Sequence, residues 1–193
     1  MTAEKLGLQT RIEEIRKAIE NEMFLSALTM ALTVPDICGK LEGLQGNDKE
    51  KYIGWADKHI TKQYFPQVYL DENHQYQESD KRAITGQRCY GLRCALLHSG
   101  NEEIDLKHMD LEDRSEPTAR IGKYKINLLD DPEDEIIYCT YSSDYNGILL
   151  EFYMNIRKFC ERICNSAEEL IKHQRDIDDQ YSIELLRYDY KRT

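Results

Sequence analysis

Two residues in this chain have the types and the closeness that phosphodiester chemistry needs: Arg93 and His98. An arginine guanidinium grips phosphate oxygens as a planar fork and offsets charge that builds in a transition state. A histidine, which titrates near neutral pH, takes or gives a proton. Together they supply what cleavage of RNA by its own ribose 2′-hydroxyl requires, with no metal ion. The surrounding segment is chemically distinct. Lys81, Arg82, Arg88 and Arg93 stand between positions 81 and 98 with no acidic residue among them, in a chain of net charge −10. Spacing alone does not unite the pair. Five residues turn an α-helix by about 500°, which sets the two side chains about 140° apart. They converge only at a helix end or across a cleft shared by two subunits. A solvated Arg93 and a partly buried His98 are the plainer reading of spacing alone.

The neighbours carry similar alternatives. Arg88 is either a second phosphate contact or a solvated helix charge. Tyr90 is either a stacking surface for a base or a core or interface aromatic. Gly91, Cys94, Ala95 and His98 give one helix face small side chains, which suits a dimer seam or tight packing inside one subunit.

Composition bounds what can position these residues. The 193 residues fit one domain and suffice for a core without disulfide or metal staples. Apolar residues make up 40% and charged residues 32%, which excludes a disordered acidic chain and a membrane protein. Acids outnumber bases 36 to 26, so a broad phosphate-coating surface is excluded, while a short basic cleft is not. No run approaches the roughly 18 consecutive apolar residues of a spanning helix. Met1 to Lys17 lacks the apolar core of a signal peptide. A cytoplasmic protein without membrane contact is expected. Cys38, Cys89, Cys94, Cys139, Cys160 and Cys164 form no CxxC pair, so reduced thiols are expected. Cys160 and Cys164 read as small core residues rather than metal ligands. No phosphate-cradling, dinucleotide, zinc-protease or serine-hydrolase motif occurs, and no metal or cofactor is expected.

Hydrophobic periodicity predicts a mostly helical domain. Helices are expected over Glu4–Leu32, from Pro35 to Leu41 with Gly43 as a stop, over Asp48–Tyr64, and over Thr85–His98 with Thr85 as N-cap. Gln67–Ser79 reads as a loop, and Asn101–Pro117 as an acidic solvated segment. Alternating residues in Arg120–Leu128 and Glu135–Ser142, joined by the acidic turn 130–134, predict a β-hairpin. Leu149, Phe152, Ile156, Phe159, Ile163, Ala167 and Leu170 predict a last long helix over Gly147–Lys172. Residues 177–193 read as a charged, Tyr-containing tail or short helix.

The stretch Cys89-Tyr90-Gly91-Leu92-Arg93-Cys94-Ala95-Leu96-Leu97-His98-Ser99-Gly100 resembles the signature of the HEPN superfamily, an Arg followed four to six residues later by His near the end of a core helix. Ala31 to Glu42, Tyr52-Ile53-Gly54-Trp55 and Lys158-Phe159-Cys160 are similar to segments of bacterial HEPN-like proteins. The resemblance covers about Arg16 to Leu170. It implies an up-and-down helical bundle over residues 1–176, interrupted by the hairpin at about 118–143. It implies a homodimer in which two Arg/His motifs face one cleft, and an endoribonuclease of defence or toxin–antitoxin systems, with RNA and a protein partner such as an antitoxin. Arg93 would hold the scissile phosphate and His98 would be the general acid/base, with Arg88 and Tyr90 against the RNA. One position departs from the pattern. Active members usually carry Asn, Asp or His directly after the Arg, and here that residue is Cys94, a weak hydrogen-bonding group. The departure points to the alternative of a non-catalytic module that binds a nucleotide, nucleic acid or protein.

Overall fold

In this computed structural model the described residues are 2–61, 67–70, 76–79, 84–99, 103–105, 121–128, 138–144, 147–173 and 183–187. They form a mainly helical fold. The helices are α1 (Leu8–Glu20), α2 (Phe24–Ala31), α3 (Val34–Leu41), α4 (Asp48–Ala56), α5 (Gly86–Cys94) and α6 (Ile156–His173). Two of them run on into π-helical turns, Asp57–Thr61 after α4 and Ala95–Ser99 after α5.

The apolar stripe of α1, Leu8, Ile12, Ile15 and Ile19, is buried against Phe159, Ile163 and Ala167 of the same core. Arg16 fastens this contact from outside. Its Nε donates to Glu161 at 3.1 Å and its Nη2 to Asn165 at 2.9 Å, while Nη1 pairs with Glu168. The expected helix over 4–32 is broken at Asn21–Met23. Glu22 there takes a φ of 58°, a left-handed turn that redirects the chain. Arg157 of α6 holds the corner by donating to the Ile19 carbonyl at 3.1 Å.

Phe24–Leu41 has the length and apolar composition of a membrane span. Here it is bent at Leu32–Thr33 into α2 and α3, and Ala27, Leu28, Ala31, Val34 and Cys38 are buried in the core. Pro35 sits in the first turn of α3 as its fixed φ allows, and Gly43 follows the helix with φ 72°. α3 then crosses α4 at Gly39, where a Cβ would stand 2.6 Å from the Lys51 carbonyl oxygen. α4 opens with a full capping box, Asn47 accepting from Glu50 N and Glu50 accepting from Asn47 N.

The strands differ from expectation. β5 (Ile121–Leu128) and β6 (Tyr138–Asp144) form where two strands were predicted, but they are not partners. β7 (Gly147–Met154) lies between them, parallel to β5 and antiparallel to β6, and β4 (Glu103–Asp105) takes the other side of β5. The tight hairpin is therefore β6–β7, with Asp144 opposite Gly147. Residues 147–154, expected as the first turns of the last helix, are strand instead. Leu149 and Phe152 fit a helical period, but Ile148, Leu150, Phe152 and Met154 alternate equally well. Asn155 ends the strand and starts the helix: it is buried, and its Oδ1 accepts from Lys158 N at 3.1 Å.

Gln67–Ser79 is likewise not a simple loop, since β2 (Gln67–Leu70) and β3 (Tyr76–Ser79) pair antiparallel within it. Within the C-terminal segment, β8 (Ile183–Arg187) is a strand, antiparallel to β1 (Thr2–Leu6). The remainder of the acidic stretch, residues 101–102 and 106–117, lies outside the described residues.

Candidate functional site

The helix that carries the Arg93 segment starts as predicted. Thr85 is its N-cap, accepting from Arg88 N at 3.2 Å. A second acceptor reinforces this end, for Asp57 Oδ1 takes the Gly86 N–H at 2.8 Å. Gly86 is required there, because a Cβ would lie 2.4 Å from the Ile53 carbonyl oxygen. Close contact between α4 and α5 thus fixes where α5 begins and, seven residues after Gly86, where Arg93 stands.

Arg93 is in the last turn of α5. Its Nε donates to Asp36 Oδ2, in the first turn of α3, at 2.6 Å. Both side chains are mostly buried, at 19% and 24% exposure, so the pair is shielded from solvent. Burial works against the guanidinium charge, but Asp36 more than compensates and raises the Arg93 pKa. Tyr90, one turn earlier, lies beneath this pair: Arg93 Cζ is 5.7 Å from its ring centroid, and Lys49 Nζ is also at 5.7 Å. Both distances fit cation–π contacts. On its other side Tyr90 meets the buried Tyr52 edge-on, with centroids 5.3 Å apart. Cys94 is half-buried, and the Tyr90 pKa is raised first by burial and then by Cys94.

The predicted site residues are placed unevenly. Arg93 and Tyr90 are brought together, in contact with each other. Arg88 is half-buried one turn earlier on α5. His98 belongs to the π turn that follows Arg93, and its side chain lies outside the described residues, as do Lys81 and Arg82. The π turn has a geometric consequence for the backbone. Bonds from i to i+5 enclose an extra residue per turn, which shifts position 98 toward the stripe of position 93 compared with α-helical winding. Gly91 and Ala95 are buried within the single chain, so part of the small-residue face is spent on packing inside the subunit.

Comparison with protein-family models, with curated proteins and with solved structures yields no match. The chemistry of the site therefore stands on its own residues.

Sequence reasoning missed Asp36. It lies 57 positions from Arg93, and only the α3–α5 approach joins them. It also missed a second polar group on the far end of α4. His59 Nε2 contacts Glu42 Oε2 at 2.9 Å, its ring lies 5.0 Å from that of Trp55, and Lys58 pairs with the same carboxylate. Burial opposes ionisation of Glu42, but Lys58 and His59 outweigh it and lower its pKa. Among the described residues no cluster of His, Cys, Asp and Glu is arranged to hold a metal ion. Cys160 and Cys164 are buried core residues.

Proposed function

We propose that this is a HEPN-like, RNA-directed protein, acting as a metal-independent endoribonuclease with Arg93 and His98 as its working pair across a homodimer cleft. The observation that carries the reading is the placement of Arg93. It is a mostly buried guanidinium, held from α3 in the last turn of α5, two residues before the start of the π turn that contains His98. An arginine anchored through Nε presents a fork of fixed orientation, which suits a phosphate. π turns inside helices recur at functional sites. In this scheme Arg93 holds the scissile phosphate and offsets charge on its oxygens. His98 takes the 2′-hydroxyl proton or supplies one to the leaving 5′-oxygen. Arg88 and Tyr90 flank the RNA, and an antitoxin-like protein partner would regulate the activity in a defence setting.

The test is cleavage of RNA in EDTA by the purified protein. Expected products carry 2′,3′-cyclic phosphate ends. His98→Ala and Arg93→Ala, each shown to be folded, should lose activity by about 10²-fold or more. Robust cleavage by both variants sinks the assignment.

A second reading is favoured by two specific features. Asp36 cancels the Arg93 charge within the subunit, and Cys94 stands where active members carry a stronger hydrogen-bonding residue. Both suit a non-catalytic binding module. That reading expects saturable RNA or nucleotide binding and no cleavage at any enzyme concentration.

A further inference from the structure

Across the Tyr90 ring from Arg93 lies a buried tyrosine whose hydroxyl the scheme above leaves idle. Tyr52 of α4 is 0% exposed, and its hydroxyl has no hydrogen-bond partner among the described residues. The group is firmly protonated, because burial pushes its pKa well up, and Asp36 and Arg93 are among the charges acting on it. Tyr90 touches both the Tyr52 ring and the Arg93 guanidinium, so the three side chains and Asp36 form one cluster. A buried donor without an acceptor is a standing cost. An ionised carboxylate has about four lone-pair sites, and Asp36 meets Arg93 through Oδ2.

We infer that Asp36 exchanges Arg93 for the Tyr52 hydroxyl when a phosphodiester of RNA takes the guanidinium, which makes Tyr52 and Asp36 positioning residues of the Arg93 site. The inference rests on the reading of Arg93 as the phosphate-holding group. As the pair stands, Asp36 cancels the arginine charge and repels an arriving phosphate. Turned to Tyr52, the same carboxylate gains a charge-assisted O–H donor, and the orphaned hydroxyl gains its acceptor. The Arg–carboxylate pair is then replaced by an Arg–phosphate pair and a Tyr–carboxylate bond, so no buried group is left uncompensated.

The experiment uses the full chain and a fluorescein-labelled single-stranded RNA with 2′-O-methyl riboses, which resists cleavage, with binding read by anisotropy. Tyr52→Phe should weaken RNA binding roughly tenfold while leaving the melting temperature unchanged or higher, since it deletes an unpartnered hydroxyl. Asp36→Asn should tighten binding, and in that background Tyr52→Phe should have no further effect. Unchanged affinity in Tyr52→Phe alone overturns the exchange, whether or not Asp36→Asn folds. An equal loss in both backgrounds overturns it too. Arg93→Ala separates the two levels. If it binds RNA as the native chain does, or if the native chain binds none, the phosphate role of Arg93 falls and the exchange with it. If Arg93→Ala is weakened and Tyr52→Phe is not, the exchange alone is wrong.

Discussion

Asp36 and Arg93, 57 residues apart in sequence, meet through a 2.6 Å bond that ties the first turn of α3 to the last turn of α5. Each side chain is less than a quarter exposed, so removing one leaves the other partly buried and uncompensated. Asp36→Ala and Arg93→Ala are each expected to destabilise the fold by about 1–3 kcal/mol. The double variant should recover part of that loss, giving a coupling of about 1 kcal/mol in a urea-unfolding cycle. Strict additivity would mean that the pair contributes nothing in solution.

The helix crossings depend on two glycines, and the sign of the substitution effect is diagnostic. Gly→Ala inside a helix ordinarily stabilises by about 1 kcal/mol. At Gly39 the new Cβ would meet the Lys51 carbonyl oxygen at 2.6 Å, and at Gly86 the Ile53 carbonyl oxygen at 2.4 Å. Both obstacles are backbone atoms that cannot rotate away. Gly39→Ala and Gly86→Ala should therefore each cost about 1–3 kcal/mol. Gly54, whose Cβ would meet only the Leu44 side chain at an ordinary 3.5 Å, is the control expected to tolerate Ala. Equal thermal stability in all three variants would contradict the α3–α4 and α4–α5 approaches described above.

Local signals in the sequence located α3, α4 and α5 well. Pro35, Gly43 and Thr85 act at the positions that their backbone chemistry favours. Signals that fit two periods failed. Gly147–Met154 satisfies both the helical and the strand repeat, and the deciding residue was Asn155, a buried cap within the expected helix. Glu4–Leu32 looked continuous because its apolar spacing carries through Glu22, whose left-handed φ no spacing rule detects. The Arg93 partner was illegible for a different reason. Asp36 is one of many acids in an acidic chain, and nothing local marks the one that α3 delivers to α5.

The link between α1 and α6 should make stability sensitive to acid. The Arg16 hydrogen bond holds the Glu168 pKa below its ordinary 4.5, against a smaller opposing effect of burial. A carboxylate with a depressed folded-state pKa stabilises the fold above its unfolded value and loses that contribution as pH falls through the folded value. Unfolding free energy should therefore drop as pH is lowered below about 4.5, and Glu168→Gln should make that acid limb shallower. Glu168→Gln should also be less stable than the native chain at pH 7, where the full contribution is present. An unchanged acid limb would show that the Arg16–Glu168 pair is too well solvated to matter.

Thiol reactivity provides an independent reading of the core. Cys38, Cys89, Cys160 and Cys164 are buried, and Cys94 is half-buried on the Arg93 side of α5. Burial raises the pKa of the first four, with Cys164 pushed up to about 12, so their reactive thiolate fraction is very small near neutral pH. Access and ionisation thus act in the same direction. In the folded protein, iodoacetamide at pH 8 should modify Cys94 well before these four, and denaturant should bring them up to the same rate. Peptide mass spectrometry distinguishes the sites. Modification of Cys89 as fast as Cys94 would be especially informative. The two are five residues apart on α5, so equal rates would mean that the helix is not seated against α4 and that the neighbouring Tyr52 is not enclosed.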